Sequence, residues 1–209
     1  MGTRSAEQQF AADNEQPSYA LTTAETGTPL YNAACELAKQ QYQRHFQCDL
    51  NEFYPQFFCL TQDDELVACC GYRSATEPLF LEQYLDANIE TVLASKQCGL
   101  IRRDKIVEIG CFAVNHKRHA LPFMLQLAPA FAALGFEHAT CTVTSAVRCC
   151  LRKLGVRATY LGHADVTRLT DNSSDWGSYY TQKPAVLAGA ISPAITRMSQ
   201  LACLFQPGH

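Results

Sequence analysis

The stretch from Lys105 to Leu154 holds the residues whose types and spacing can do chemistry. The run KIVEIGCFAV (105–114) reads as a buried strand carrying Glu108 and Cys111. A carboxyl desolvated in such a strand titrates high, which suits proton transfer near neutrality. Cys111, close by, is either an acyl-accepting nucleophile or a small core residue. The strand runs into Asn115-His116-Lys117-Arg118-His119 and then an apolar helix from Leu121 to Leu134. A helix start presents unsatisfied N–H groups and the positive end of its dipole, so it favours an anion. Lys117 and Arg118 add two cations there, as expected of a site for a phosphate or a phosphopantetheine. The same run also reads as a solvated basic turn.

Other candidates are less constrained. His116 and His119 are three apart, but no third ligand stands at a telling distance, so no metal site is expected and both read as solvated. Trp176, Tyr179 and Tyr180 lie in a polar insert, where they could line an acyl channel, stabilise an oxyanion, or simply pack.

Several classes fall away on composition. Of 209 residues, 47% are apolar and 18% charged, enough to bury a core. With 17 Lys+Arg against 20 Asp+Glu, the net charge of −3 argues against a nucleic-acid binder. The 11 cysteines are odd in number and include two adjacent pairs and no CxxC, which argues against a disulfide framework and a zinc ribbon. They suggest a reducing compartment. The first twenty residues hold no apolar run of the signal-peptide kind, and Leu121–Phe136 is broken by Pro122, Gln126 and Pro129. A cytoplasmic protein without stable membrane insertion is expected.

The elements that must position these residues follow from periodicity and breakers. Residues 1–16 read as a flexible tail and 17–209 as a single domain. SYALTT (18–23) is a first strand. Thr28 caps a helix with Pro29 at its first position and Leu30, Ala34, Leu37, Ala38 and Tyr42 as its stripe, running to about Phe46. Phe57–Gln62 and Leu66–Tyr72 form a hairpin around Asp63-Asp64-Glu65. Short helices occupy Glu77 to about Gln97. After the apolar helix and its Gly135 stop come a strand at Glu137–Val143, a short helix capped by Thr144 or Ser145, and last strands at Thr159–Gly162 and Ala185–Ile191. The order is α/β with a mixed sheet flanked by helices.

That order, with the strand-to-helix turn, resembles the GCN5-related N-acetyltransferase fold, in which two splayed strands admit a pantetheine arm. The phosphate loop of that family is rich in glycine. Here KRHAL (117–121) has none, which fits an acyl group presented on an acidic carrier protein. The blocks Phe53-Tyr54-Pro55, GYRSA (71–75), LFLEQYL (79–85), VEIG (107–110) and WGSYY (176–180) resemble the thermostable hemolysin family. The same blocks are distantly similar to acyl-homoserine-lactone and N-acyl amino acid synthases, which carry an Arg just after a Gly on the second hairpin strand and a Glu on the next sheet strand.

Gly71…Arg73 and Glu108 match that arrangement. By this resemblance Glu108 acts as, or positions, the general base that deprotonates an amine, and Arg73 holds the acceptor's carboxylate. Alternatively the two simply pair with each other inside the sheet. The implied activity is an acyltransferase moving a fatty acyl group from a pantetheine thioester, on acyl-carrier protein or acyl-CoA, to a small amine such as an amino acid. No cofactor is permanently bound. A backbone N–H near Phe112 to Val114 would polarise the thioester, and Phe80, Trp176 and Tyr179 would border the substrates. The competing classes are a protein that perturbs membranes directly through its Leu121–Phe136 segment, and a non-catalytic acyl-binding domain of the same fold.

Overall fold

The computed structural model describes residues 18–204, except 98 and 171–174. The tail expected over residues 1–16 lies outside the described residues. Seven strands form one sheet in the order β1-β2-β3-β4-β5-β7-β6.

Strand β1 (Tyr19–Glu25) leads through Gly27 into helix α1 (Pro29–Phe46). Thr28 is its N-cap: the hydroxyl accepts the Tyr31 N–H at 3.2 Å. Ala34, Cys35, Leu37 and Ala38 recur at helical spacing and are buried. The hairpin joins β2 (Gln56–Gln62) to β3 (Glu65–Ser74). Asp63 and Asp64 both have positive φ, 51° and 64°, the two-residue turn whose twist matches that of the strands.

A short 3-10 turn (Phe80–Tyr84) and α2 (Ile89–Gln97) follow, then β4 (Ile106–Val114), α3 (Ala120–Ala133) and β5 (His138–Val143). Helix α4 (Ser145–Lys153), strands β6 (Thr159–His163) and β7 (Ala185–Ala190) and helix α5 (Ile191–Leu204) complete the order. The sequence pattern ends on a strand and gives no sign of α5. There β7 passes into the helix at Ile191 with no turn residue between, and Pro193 sits in the first turn, where its missing N–H costs little. Thr144 does occupy the N-cap of α4, but its side chain makes no capping hydrogen bond.

All neighbouring strands are antiparallel except β4 and β5. These two pair only along Ile106–Ile109 and His138–Cys141, although β4 continues to Val114 and β5 to Val143. They part beyond Ile109. A bulge on β4 accompanies the parting: the β3 register jumps between Cys69↔Ala113 and Gly71↔Gly110, and Cys111 takes φ +48°. A bulge adds a residue and bends its strand, which turns β4 away from β5.

Helix α1 packs with Phe57, Cys59, Cys69, Cys111 and Ala113 on one face of the sheet. Helix α3 and the start of α5 cover Phe58, Leu60, Ala68, Cys70 and Tyr72 on the other. The 3-10 turn and α2 bury Leu81, Tyr84, Ile89 and Leu93 with Ile106 and Val186. Six of the nine described cysteines are buried and all nine are free thiols. On α4, Cys149 is half-buried and Cys150 exposed. The inward positions of that helix fall instead to Val147 and Leu151.

Candidate active site at the strand splay

Gly71 and Gly110 are register partners across β3 and β4. The ring of Tyr54 lies flat against both: a Cβ on Gly71 would come within 2.8 Å of Tyr54 Cβ, and one on Gly110 within 2.5 Å of Tyr54 Cε2 and closer still to the hydroxyl. Glycine interrupts a strand where another group must approach the backbone, and here that group is Tyr54. The Tyr31 hydroxyl donates to the Tyr54 carbonyl at 2.9 Å, which ties the loop before β2 to α1.

Two residues further along each strand, Arg73 and Glu108 are also register partners. Residues two apart in a strand share a face, so these four positions and Tyr54 make one patch. The Arg73 guanidinium stands 4.6 Å from the Tyr54 ring centroid. Its Nε is 3.6 Å from Glu108 Oε2, an ion-pair distance too long for a hydrogen bond, and it has no hydrogen-bond partner among the described residues.

Glu108 is 1% exposed. The Phe80 N–H donates to its Oε2 and the Leu81 N–H to its Oε1, both at 2.9 Å. Burial pushes the carboxyl above its ordinary pKa, and Arg73, these two backbone donors and the Tyr54 side chain oppose the rise. The donors come from the LFLEQYL turn, which is itself braced. Glu82 accepts the Leu79 and Ile89 N–H groups at 3.2 and 2.8 Å. Arg103 donates to both Glu82 oxygens at 2.6 and 2.9 Å and to Glu90 at 2.6 Å. Burial raises the Glu82 pKa, but Arg103 and the two N–H groups outweigh it and hold the carboxyl below its usual range.

A small pocket of about 60 Å³ opens on this face. Tyr54, Arg73, Phe80, Trp176, Tyr179, Cys111 and Glu52 border it; Glu108 does not. Phe80 lies 5.9 Å and Tyr179 5.5 Å from Trp176, ring to ring. The Ser178 N–H donates to the Phe46 carbonyl at 2.7 Å, which fixes the WGSYY block on the end of α1.

A second cavity, about 220 Å³ and almost wholly apolar, lies across the sheet between α3, α4 and α5. Phe112 borders it and stacks on Phe123 at 5.5 Å. Tyr42, Ile109, Gly110, Thr142 and Tyr179 line both spaces. The two therefore meet where β4 leaves β5. The Thr142 hydroxyl is buried at this junction without a hydrogen-bond partner among the described residues.

The structure thus gathers Arg73, Cys111, Phe80, Trp176 and Tyr179 at one pocket, with Glu108 just behind, and sets Phe112 in the neighbouring cavity. Burial pushes the Cys111 thiol up to about 12, so it is held as thiol rather than thiolate. Val114, Lys117 and Arg118 border neither space. Val114 pairs with Ala68 at the end of β4. Lys117 and Arg118 are exposed in a single 3-10 turn before α3, and the Arg118 Nε donates to His119 Nε2 at 3.0 Å.

His119 is not solvated as the sequence suggested; it is 1% exposed. With Nε2 accepting from Arg118, the ring proton sits on Nδ1 and is donated to the Tyr19 hydroxyl at 3.0 Å. Burial lowers its pKa, with the Arg118 and His116 charges adding to the fall. Tyr54, Thr142 and the Glu82–Arg103 brace were assigned no role from sequence. The strand glycines 71 and 110 were the available signal for Tyr54.

The fold is shared with solved acyl-homoserine lactone and N-acyl amino acid synthases. The chain is similar to FeeM, an N-acyl amino acid synthase from uncultured soil microbes, at 14% identity over 90% of this chain and 100% of that one, with a TM-score of 0.60. It is also similar to the CoA-dependent acyl-homoserine lactone synthase BjaI (11% identity, 90% and 92% covered, TM-score 0.59) and to the AHL synthase LasI (13%, 84% and 91%, 0.56). No curated protein matches the chain. Residues 24–195, spanning the whole site, match the family described as thermostable hemolysin, and the chain belongs to that family.

Proposed function

We propose that the protein is an acyltransferase that moves an acyl group from a pantetheine thioester, on acyl-carrier protein or coenzyme A, to a small amine carrying a carboxylate. The observation that carries this reading is the meeting of an apolar cavity and a small, aromatic-walled pocket bordered by Arg73 and Glu52 at the parting of β4 and β5. An acyl chain suits the first, an amino acid the second, and the thioester carbon lies between. The solved relatives named as synthases of acyl-homoserine lactones and N-acyl amino acids support it.

The geometry supports the following roles. Arg73, which borders the pocket, receives the acceptor's carboxylate through its guanidinium. Backbone N–H groups of the bulge at Cys111–Phe112 face the developing oxyanion. Attack forms the C–N bond and collapse breaks the C–S bond. The proton lost by the amine passes through the Tyr54 hydroxyl to Glu108 and returns to the departing thiolate. Phe80, Trp176 and Tyr179 wall the acceptor, while Phe112 borders the acyl chain. Cys111 contributes its left-handed backbone to the bulge and no nucleophile. The basic turn at Lys117 and Arg118 meets the donor's phosphate. The free thiols of the described cysteines support a reducing compartment such as the cytoplasm.

Purified protein incubated with acyl-carrier or acyl-CoA thioesters and a mixed amino acid pool should release free thiol and an N-acyl product detected by mass spectrometry. Absence of any such product across both donor classes rejects the assignment.

A further inference from the structure

The helices over one face of the sheet carry charge of a single sign. Helix α3 has no charged residue from Ala120 to Ala133. Helix α4 carries Arg148, Arg152 and Lys153, and α5 carries Arg197. These three helices therefore hold four of the 17 basic residues and none of the 20 acidic ones, in a chain of net charge −3. None of the four forms an ion pair among the described residues. Glu137, in the link after α3, is the nearest carboxylate in sequence and is exposed at the edge of this layer. On the opposite face, α1 carries Glu36, Lys39 and Arg44, and α2 carries Glu90 and Lys96, both signs together.

The acid-free layer also shows apolar side chains. Leu121 and Leu134, at the two ends of α3, are 43% and 50% exposed. Pro129, Ala132 and Ala133 are exposed between them. Arg152, Lys153 and Arg197 are exposed on the neighbouring helices, and Lys117 and Arg118 stand at the start of α3. Leucines and alanines beside unopposed cations are the composition of an element lying in a lipid interface. A nucleic acid would be met by the cations but would leave the leucines without a purpose, and an acidic protein is told apart from a bilayer by the test below. No helix among the described residues is long and apolar enough to span a bilayer, so contact is peripheral.

We infer that the α3–α4–α5 face docks on the surface of an anionic lipid bilayer. These helices also enclose the apolar cavity, so docking sets the cavity wall against the headgroup layer. An amphiphilic product leaving the cavity would pass into lipid without crossing water. The docking itself requires no turnover, and only this last consequence rests on the transferase reading.

The test is flotation of the full-length protein, without substrate, with vesicles of phosphatidylcholine alone or phosphatidylcholine mixed with phosphatidylserine. At about 0.1 M salt at least about tenfold more protein should float with the anionic vesicles, and about 1 M salt should abolish the difference. Arg152→Glu with Lys153→Glu should cut anionic binding about tenfold, and Leu121→Ser with Leu134→Ser should weaken it at constant charge. All four positions are exposed, and an unchanged melting temperature confirms folding. Equal partition onto both vesicle types overturns the inference. So does retention on immobilised polyglutamate or DNA with no binding to vesicles. Neither result bears on transferase activity, which the thioester assay measures separately.

Discussion

Gly71 and Gly110 stand opposite each other across β3 and β4, and neither leaves room for a Cβ beneath Tyr54. Gly110→Ala should therefore expel the ring or distort the bulge, at a cost of about 1–3 kcal/mol. Chemical denaturation would measure it. Gly110→Ala combined with Tyr54→Ala should destabilise by clearly less than the sum of the two single changes, because the clash exists only when both groups are present. Additive effects would show that Gly110 is needed for something else.

Tyr54→Phe keeps the ring on the glycines and under Arg73 and removes only the hydroxyl. Stability should fall by about 1–2 kcal/mol, because the buried Glu108 carboxyl loses one of its donors. Transfer should fall about 100-fold if the hydroxyl relays the proton. Turnover within twofold of wild type removes Tyr54 from the chemistry.

Glu108→Gln sets an amide NH₂ against a backbone N–H of Phe80 or Leu81. It should destabilise by about 1–3 kcal/mol and reduce transfer at least about 100-fold. The pH dependence has a definite sign. Burial raises the folded pKa above 4.5, so between these values the folded state binds more protons than the unfolded state. Wild-type stability relative to Glu108→Gln should fall as pH rises through that window and level off above it. A flat difference between pH 4 and 8 would contradict the raised pKa.

Glu82 works in the opposite sense. Its folded pKa lies below 4.5, so its contribution is complete above that value and is lost as pH falls through the folded pKa. Arg103→Ala should remove most of this acid-sensitive part, cost roughly 2 kcal/mol, and slow transfer indirectly by loosening the turn that holds Glu108. Conservative Arg103→Lys should restore stability only in part, because the two-pronged contact with Glu82 needs a guanidinium.

Ala194 borders the apolar cavity on α5 and is half-buried. Ala194→Phe should shift donor preference toward shorter acyl thioesters with little change for the shortest, measured as kcat/KM across a chain-length series. Lys117→Ala with Arg118→Ala should raise the donor KM at low salt and have a smaller effect at high salt. A salt-independent, unchanged KM would make that turn a surface loop.

Periodicity and breakers alone placed most elements. Thr28-Pro29 and the stripe through Ala34 and Ala38 mark α1 to the residue, because capping and helical spacing are local properties. Asp63-Asp64 mark the hairpin for the same reason. Helix α5 was not legible, since Ile191 serves both strand and helix. Glu108 and Arg73 could be named from their blocks, and their pairing across the sheet stood as one of two alternatives; the register between strands 35 residues apart decides it by placing them face to face, and amides from Phe80 and Leu81 then hold the carboxylate. His119 reads as solvated in sequence because nothing near it announces Tyr19, a hundred residues away. Tyr54 gained its place only because two glycines on different strands fell into register beneath it. Local chemistry decided where the chain turns and coils. The site was decided by which distant residues share one face of the sheet, and that depends on strand register and on the bulge at Cys111, which no single segment encodes.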